Sequence, residues 1–113
     1  MRMLVAAAAA LVLAQGSASI APEEAAKHVG ETVTVEGIVT HVKVSHDRTL
    51  FLDFGPLYPD QVFTAVILPS KRARFEGAEK LAGARVLVHG TVQLHKGKPE
   101  IVLEEAPQLR VVS

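Results

Sequence analysis

The sequence predicts a small all-β domain, five strands curled into a barrel with one helix between the third and fourth. Three observations lead there. First, a ten-residue pattern occurs twice, as Gly30-Glu31-Thr32-Val33-Thr34-Val35-Glu36-Gly37-Ile38-Val39 and as Gly83-Ala84-Arg85-Val86-Leu87-Val88-His89-Gly90-Thr91-Val92. Second, both copies alternate apolar and polar residues, the two-residue period of a half-buried strand. Third, each copy carries an internal glycine, Gly37 or Gly90. Glycine weakens an ordinary strand, so these two mark sharp bends or close backbone approaches, as at the corners of a small barrel.

The elements follow in order. Pro22 to His28 reads as a short helical turn, with proline early and Gly30 past its end. A long strand runs from Thr32 to about Ser45. Its apolar parity changes from Val33, Val35 and Val39 to Val42 and Val44, so a bulge or bend is expected near Thr40. His46-Asp47-Arg48 is a polar turn, and Thr49 to Gly55 a second strand with Leu50, Leu52 and Phe54 inward. Pro56-Leu57-Tyr58-Pro59-Asp60 is a proline-rich loop, and Val62 to Leu68 a third strand. Pro69-Ser70 then stops the strand and opens a helix from Lys71 to Ala82, whose apolar positions are Phe75, Ala78, Leu81 and Ala82. Arg85 to His95 is the fourth strand, Lys96-Gly97-Lys98 a tight hairpin turn, and Pro99 to about Glu104 the fifth strand. Leu109, Val111 and Val112 form a terminal extension.

The chain has 113 residues, enough for one domain and one core. Arg2, the apolar run from Met3 to Ala14 and the small residues through Ala18 have the layout of a secretory signal peptide, cleaved after Ala14, Gly16 or Ala18. A membrane anchor is the alternative, but the run falls well short of the roughly 20 residues that span a bilayer. The expected organisation is a signal peptide over 1–18, a single domain over 19–113, and an exported, periplasmic or secreted product. The sequence contains no cysteine, so neither a disulfide nor a lipid-attachment thiol is available. Lys and Arg number 12 and Asp and Glu 12, so even without Arg2 the mature chain stays near neutral. The strong basic footprint of a tight non-specific nucleic-acid binder is therefore missing.

Three strands, a helix and two strands, with a bent first strand and a closing hairpin, give the element order of an OB-fold. The segment from Gly30 to Val112 resembles OB-folds of the nucleic-acid-binding, tRNA-anticodon-binding-like superfamily. Leu50-Phe51-Leu52-Asp53-Phe54-Gly55 through Phe63-Thr64-Ala65-Val66-Ile67 is similar to small exported bacterial members. The motifs are structural glycines and valines, which specify the barrel better than the ligand. An SH3-like barrel, the rival all-β reading, has no natural place for the helix.

OB-folds bind ligands across the face of the second and third strands, between the loop joining the first two strands and the loop joining the last two. That rule selects His46 and Arg48 with the adjacent Lys43 at one end, and His95, Lys96 and Lys98 at the other. Between them Phe51, Asp53 and Thr64 face outward, with Phe51 and the nearby Tyr58 as stacking platforms. The competing reading has Phe51 covered by the terminal extension and the basic turns merely solvated.

Other chemistry has little support. The five histidines show no close metal-ligand pairing, although His89 and His95 share a strand parity. Ser45-His46-Asp47 holds the residue types of a hydrolase triad, but adjacent residues cannot aim at one another in that geometry. Asp53 and Asp60 could hold a divalent ion only with partners that cannot be assigned. The expectation is a non-catalytic binding module without cofactor or metal, engaging single-stranded nucleic acid with little sequence preference. The alternative is a cell-envelope protein that binds a peptide, an oligosaccharide or a small ligand on the same face. A minimal metal-dependent hydrolase is a third reading.

Overall fold

The computed structural model describes residues 18–113; the segment 1–18, expected to be a signal peptide, falls almost wholly outside the described residues. Eight strands form two sheets. β1 (Thr32–Ile38), β5 (Arg85–Thr91) and β8 (Leu109–Val111) make a three-stranded sheet in the order β1-β5-β8. β2 (His41–Val44), β3 (Leu50–Phe54), β4 (Phe63–Ile67), β6 (Gln93–His95) and β7 (Lys98–Leu103) make a five-stranded sheet in the order β2-β3-β4-β7-β6. β4 and β7 run parallel, and the other pairs are antiparallel. All five expected strands are present, but two are divided between the sheets, and the terminal extension adds a further strand. The result is a mostly β molecule of two sheets rather than one continuous five-stranded barrel.

The twofold sequence pattern explains both divisions. β1 and β5 are the two copies, paired so that Val35 lies opposite its counterpart Val88. The ladder is therefore locally two-fold: Gly37 faces Val86, and Gly90 faces Val33. Its ends are tied the same way. Gly30 N–H donates to Val92 at 2.8 Å and Gly83 N–H to Val39 at 2.7 Å, while Val92 N–H donates to Glu31 and Val39 N–H to Ala84. Each strand leaves the ladder just there, at Val39 or Val92, and continues into the other sheet. Both valines are buried against the core.

Gly37 and Gly90 thus serve close approach rather than bending, since neither has a positive φ. A Cβ on Gly37 would fall 2.5 Å from Pro22 Cγ, and one on Gly90 would fall 2.5 Å from Ile101 Cγ2. The bends lie two residues further along each copy. The core between the sheets holds Leu50, Leu52, Phe54, Phe63, Ala65 and Ile67, all inward as the alternation requires, with Val35, Val86, Val88, Ile101 and Leu103 from the strands facing them. Phe54 and Phe63 meet with ring centroids 5.2 Å apart. Val44 departs from the expectation and is exposed, because β2 is an edge strand that ends there.

The helix expected from Lys71 to Ala82 does not form. Two short 3-10 turns replace it, Pro69–Arg74 and Ala78–Lys80, separated by Phe75 at φ −132° and by Gly77 at φ +85°. Only Phe75 and Ala78 reach the core fully. A helix shorter than about 12 residues needs a buried stripe to hold it, and this one would have had almost none. Pro22–His28 is a 3-10 turn, close to the expected helical turn. Among the described residues no helix is long and apolar enough to cross a membrane.

Candidate functional site

A groove of about 220 Å³ opens on the outer face of the five-stranded sheet. Strand register builds its floor. His41, Asp53, Thr64, Glu100 and Gln93 are successive cross-strand partners from one edge of the sheet to the other, and Lys43, Phe51, Val66 and Val102 form the adjacent row; of these, Asp53, Thr64, Glu100, Lys43 and Phe51 line the groove. Inward parity for Leu50, Leu52 and Phe54 forces Phe51 and Asp53 outward. Asp53 is nevertheless only 4% exposed, because the Tyr58–Gln61 segment and the β6–β7 turn rise on either side and help to line the groove.

One wall is aromatic and cationic. Lys43 Nζ sits 4.2 Å from the Tyr58 ring centroid and 5.3 Å from that of Phe51, within cation–π range of both. The two rings and the ammonium therefore act as one unit. The terminal extension does not cover Phe51, since β8 pairs with β5 in the other sheet. Phe51 is half-buried, with Lys43 against its ring.

A second wall accepts hydrogen bonds. Thr64 Oγ1 donates to Asp53 Oδ1 at 2.8 Å. Gln61, 6% exposed, also lines the groove, and its Oε1 is buried without a hydrogen-bond partner among the described residues. An orphaned acceptor of this kind costs about 1–3 kcal/mol. Glu100 adds a further acceptor, partly engaged by Gln93 Nε2 at 3.3 Å.

The third side is the β6–β7 hairpin, where His95 and Lys98 pair across a two-residue turn, Lys96-Gly97. Both turn residues have positive φ, +53° and +80°, as a type I′ hairpin requires. Asparagine or glycine suits the first of these positions far better than lysine. Among the described residues, the non-glycine residues with positive φ are Arg48 and Lys96. Each is a cation in one of the two loops that flank the β3–β4 face. Of the two, the Lys96 side chain lines the groove.

Three comparisons bear on the fold. No protein-family model matches the chain, and no curated protein matches it by sequence. Among solved structures, the aspartyl tRNA synthetase from Entamoeba histolytica superposes with a TM-score of 0.64 at 19% identity, over 100% of this chain and 24% of that one. The fold is OB-like. The asparaginyl-tRNA synthetase from Pyrococcus horikoshii gives 0.62 at 23% identity, over 83% of this chain and 23% of that one. An OBody bound to hen egg-white lysozyme gives 0.57 at 19%, over 77% of this chain and 84% of that one. The chain spans about a quarter of the length of each of these synthetases.

On this OB-like scaffold the groove collects Lys43, Phe51, Asp53, Tyr58, Thr64, His95, Lys96 and Lys98 of the expected binding residues. His46 and Arg48 do not line it. Their turn closes on itself: Ser45 Oγ donates to Asp47 Oδ1, Thr49 N–H donates to the same oxygen at 3.2 Å, and Arg72 Nη1 donates to the Arg48 carbonyl at 2.9 Å. The Ser45 hydroxyl first, then Thr49, holds the Asp47 carboxyl below its ordinary value. A depressed carboxylate supports the turn above its unfolded range and loses that role only on acidification through the lowered value, so the turn is intact at neutral pH. His89 and His95 are separated by the break at Val92; His89 Nδ1 instead pairs with Thr34 Oγ1 at 2.9 Å in the three-stranded sheet. Among the described residues no cluster of three or more His, Asp or Glu is placed to hold a metal ion. Pro59, Gln61, Pro99 and Glu100 line the groove without having been expected there.

Proposed function

We propose that this chain is a non-catalytic, exported bacterial OB-fold module of the tRNA-anticodon-binding-like superfamily that binds single-stranded nucleic acid. The observation that carries the reading is the groove itself, where Phe51 and Tyr58 stand beside Lys43, Lys96 and Lys98 on one open face. Rings offer stacking to any base, and lysines offer neutralisation to any phosphate, so these contacts carry little sequence preference. Two of the structural neighbours are tRNA synthetases, which lends support. The Arg2-to-Ala18 pattern supports export, and protein recovered outside the cytoplasm should begin between about residues 15 and 21 on N-terminal sequencing. Intact Met1 on soluble cytoplasmic protein would remove that part of the reading.

The test is fluorescence anisotropy of a labelled ten-nucleotide single strand against rising salt. Three lysine–phosphate contacts predict that log affinity falls against log salt with a slope of about −2, from roughly 0.7 per contact. Absence of binding at ~50 mM salt, where charge contacts are strongest, would overturn the reading. The second reading, an envelope protein that grips a peptide, an oligosaccharide or a small ligand with this face, would then stand. The OBody bound to lysozyme favours it by showing the same fold engaged with a protein.

A further inference from the structure

The cationic rim and the acceptor wall of the groove ask for opposite things from a ligand. Lys43, Lys96 and Lys98 favour negative charge. Asp53 and Glu100 favour hydrogen-bond donors and repel negative charge. A nucleotide satisfies both at once only if its base presents N–H groups to the wall while its phosphate faces the rim. We infer that the groove selects bases with an exocyclic amino group, cytosine, adenine and guanine, over uracil and thymine, with Asp53 as the residue that discriminates. This rests on the nucleic-acid reading of the same groove and adds a base preference to it.

The chemistry is one-sided at Asp53. Carboxylate oxygens accept, and Oδ1 already accepts the hydrogen bond that the Thr64 hydroxyl donates at 2.8 Å, which leaves the remaining lone pairs to be met by a ligand. An amino group carries two hydrogens and can serve two acceptors. Uracil and thymine offer a single ring N–H flanked by two carbonyl oxygens, which would face the carboxylate with like polarity. Gln61 can turn its amide, exchanging Oε1 for Nε2, and so tolerates either pattern. Asp53 cannot. The volume of about 220 Å³ lies below the usual range for drug-sized pockets, so it suits a single base rather than several.

The experiment compares ten-nucleotide deoxycytidine and deoxyuridine homopolymers, which share ring size and backbone and differ in donor pattern. Wild-type protein should bind the deoxycytidine strand at least about fivefold more tightly, the factor that one base-edge contact supplies. Asp53→Asn is isosteric, can still accept from Thr64, and gives the wall a donor, so the ratio should shrink toward one whatever happens to absolute affinity. Gln61→Met, a second variant of similar size, should narrow the ratio less. Thermal melts of both variants establish that they fold. Equal or reversed preference in the wild type, or a ratio that survives Asp53→Asn in folded protein, would overturn the inference and leave the nucleic-acid reading standing. Failure of every strand to bind would overturn both.

Discussion

Gly90→Val and Gly37→Val should each lower the melting temperature by roughly 10 °C, more than any surface substitution in the chain. Neither glycine has a positive φ, so the penalty does not come from an inaccessible backbone conformation. It comes from space. On Gly90 the added Cβ lands 2.5 Å from Ile101 Cγ2, with Gln108 Nε2 at 3.1 Å, and Ile101 is itself buried among core residues that block its retreat. On Gly37 the obstacle is the stiff ring of Pro22, with Cγ at 2.5 Å and Cδ at 3.0 Å, backed by Phe54 Cδ2 at 3.4 Å. Overpacking of this sort costs about 1–3 kcal/mol, and about 4–8 °C accompanies each kcal/mol in a domain this small. Thr91→Val, one residue along β5 and exposed, should change stability by less than about 0.5 kcal/mol. Calorimetric or circular-dichroism melts decide the matter, and unchanged midpoints in both glycine variants would mean that Pro22 and Ile101 do not approach these strands as closely as described.

Phe51→Ala should weaken single-strand binding by about 1–3 kcal/mol while leaving the salt slope nearly unchanged. Replacing Lys96 and Lys98 together by alanine should instead flatten the slope by about 1.4, as two phosphate contacts vanish. The slope survives loss of Phe51 because Tyr58 still holds Lys43, the ammonium lying 4.2 Å from its ring centroid. Phe51 is half-buried, so its variant requires a thermal melt beside the binding curve. If both variants change slope alike, or neither affects affinity, stacking and charge are not divided between these residues.

Strands were legible in the sequence because their period is two and burial enforces it. The alternation of Leu50, Leu52 and Phe54 with Phe51 and Asp53 by itself settles which residues face the groove. The parity change at Thr40 likewise marks a real division between β1 and β2. The segment after β4 was misread because Phe75, Ala78 and Leu81 recur every third residue, a spacing that a 3-10 turn satisfies as well as an α-helix. Gly77 between them, at φ +85°, breaks the run into two turns. Gln61 left no signal, since a proline-rich loop has no period from which a side chain's direction can be read. The Ser45–Thr49 turn did carry one. Serine, aspartate and threonine at alternate positions favour side chains that bond to their own backbone, and such a turn keeps His46 and Arg48 to itself.

The paired valine-and-glycine repeat has a kinetic consequence. β1 and β5 bracket the whole stretch that contains β2, β3 and β4, so their ladder forms only after that stretch has been drawn into a closed loop. Closure entropy grows only with the logarithm of loop length, so the native state loses little by it. The search is another matter, because contacts between residues far apart in sequence slow folding steeply. Until the ends meet, two valine-rich edges stand unpaired in a chain whose central hairpins can already assemble locally, and such edges are where chains find one another instead of themselves. Substitutions that delay this meeting therefore reduce the yield of folded protein out of proportion to the stability they remove.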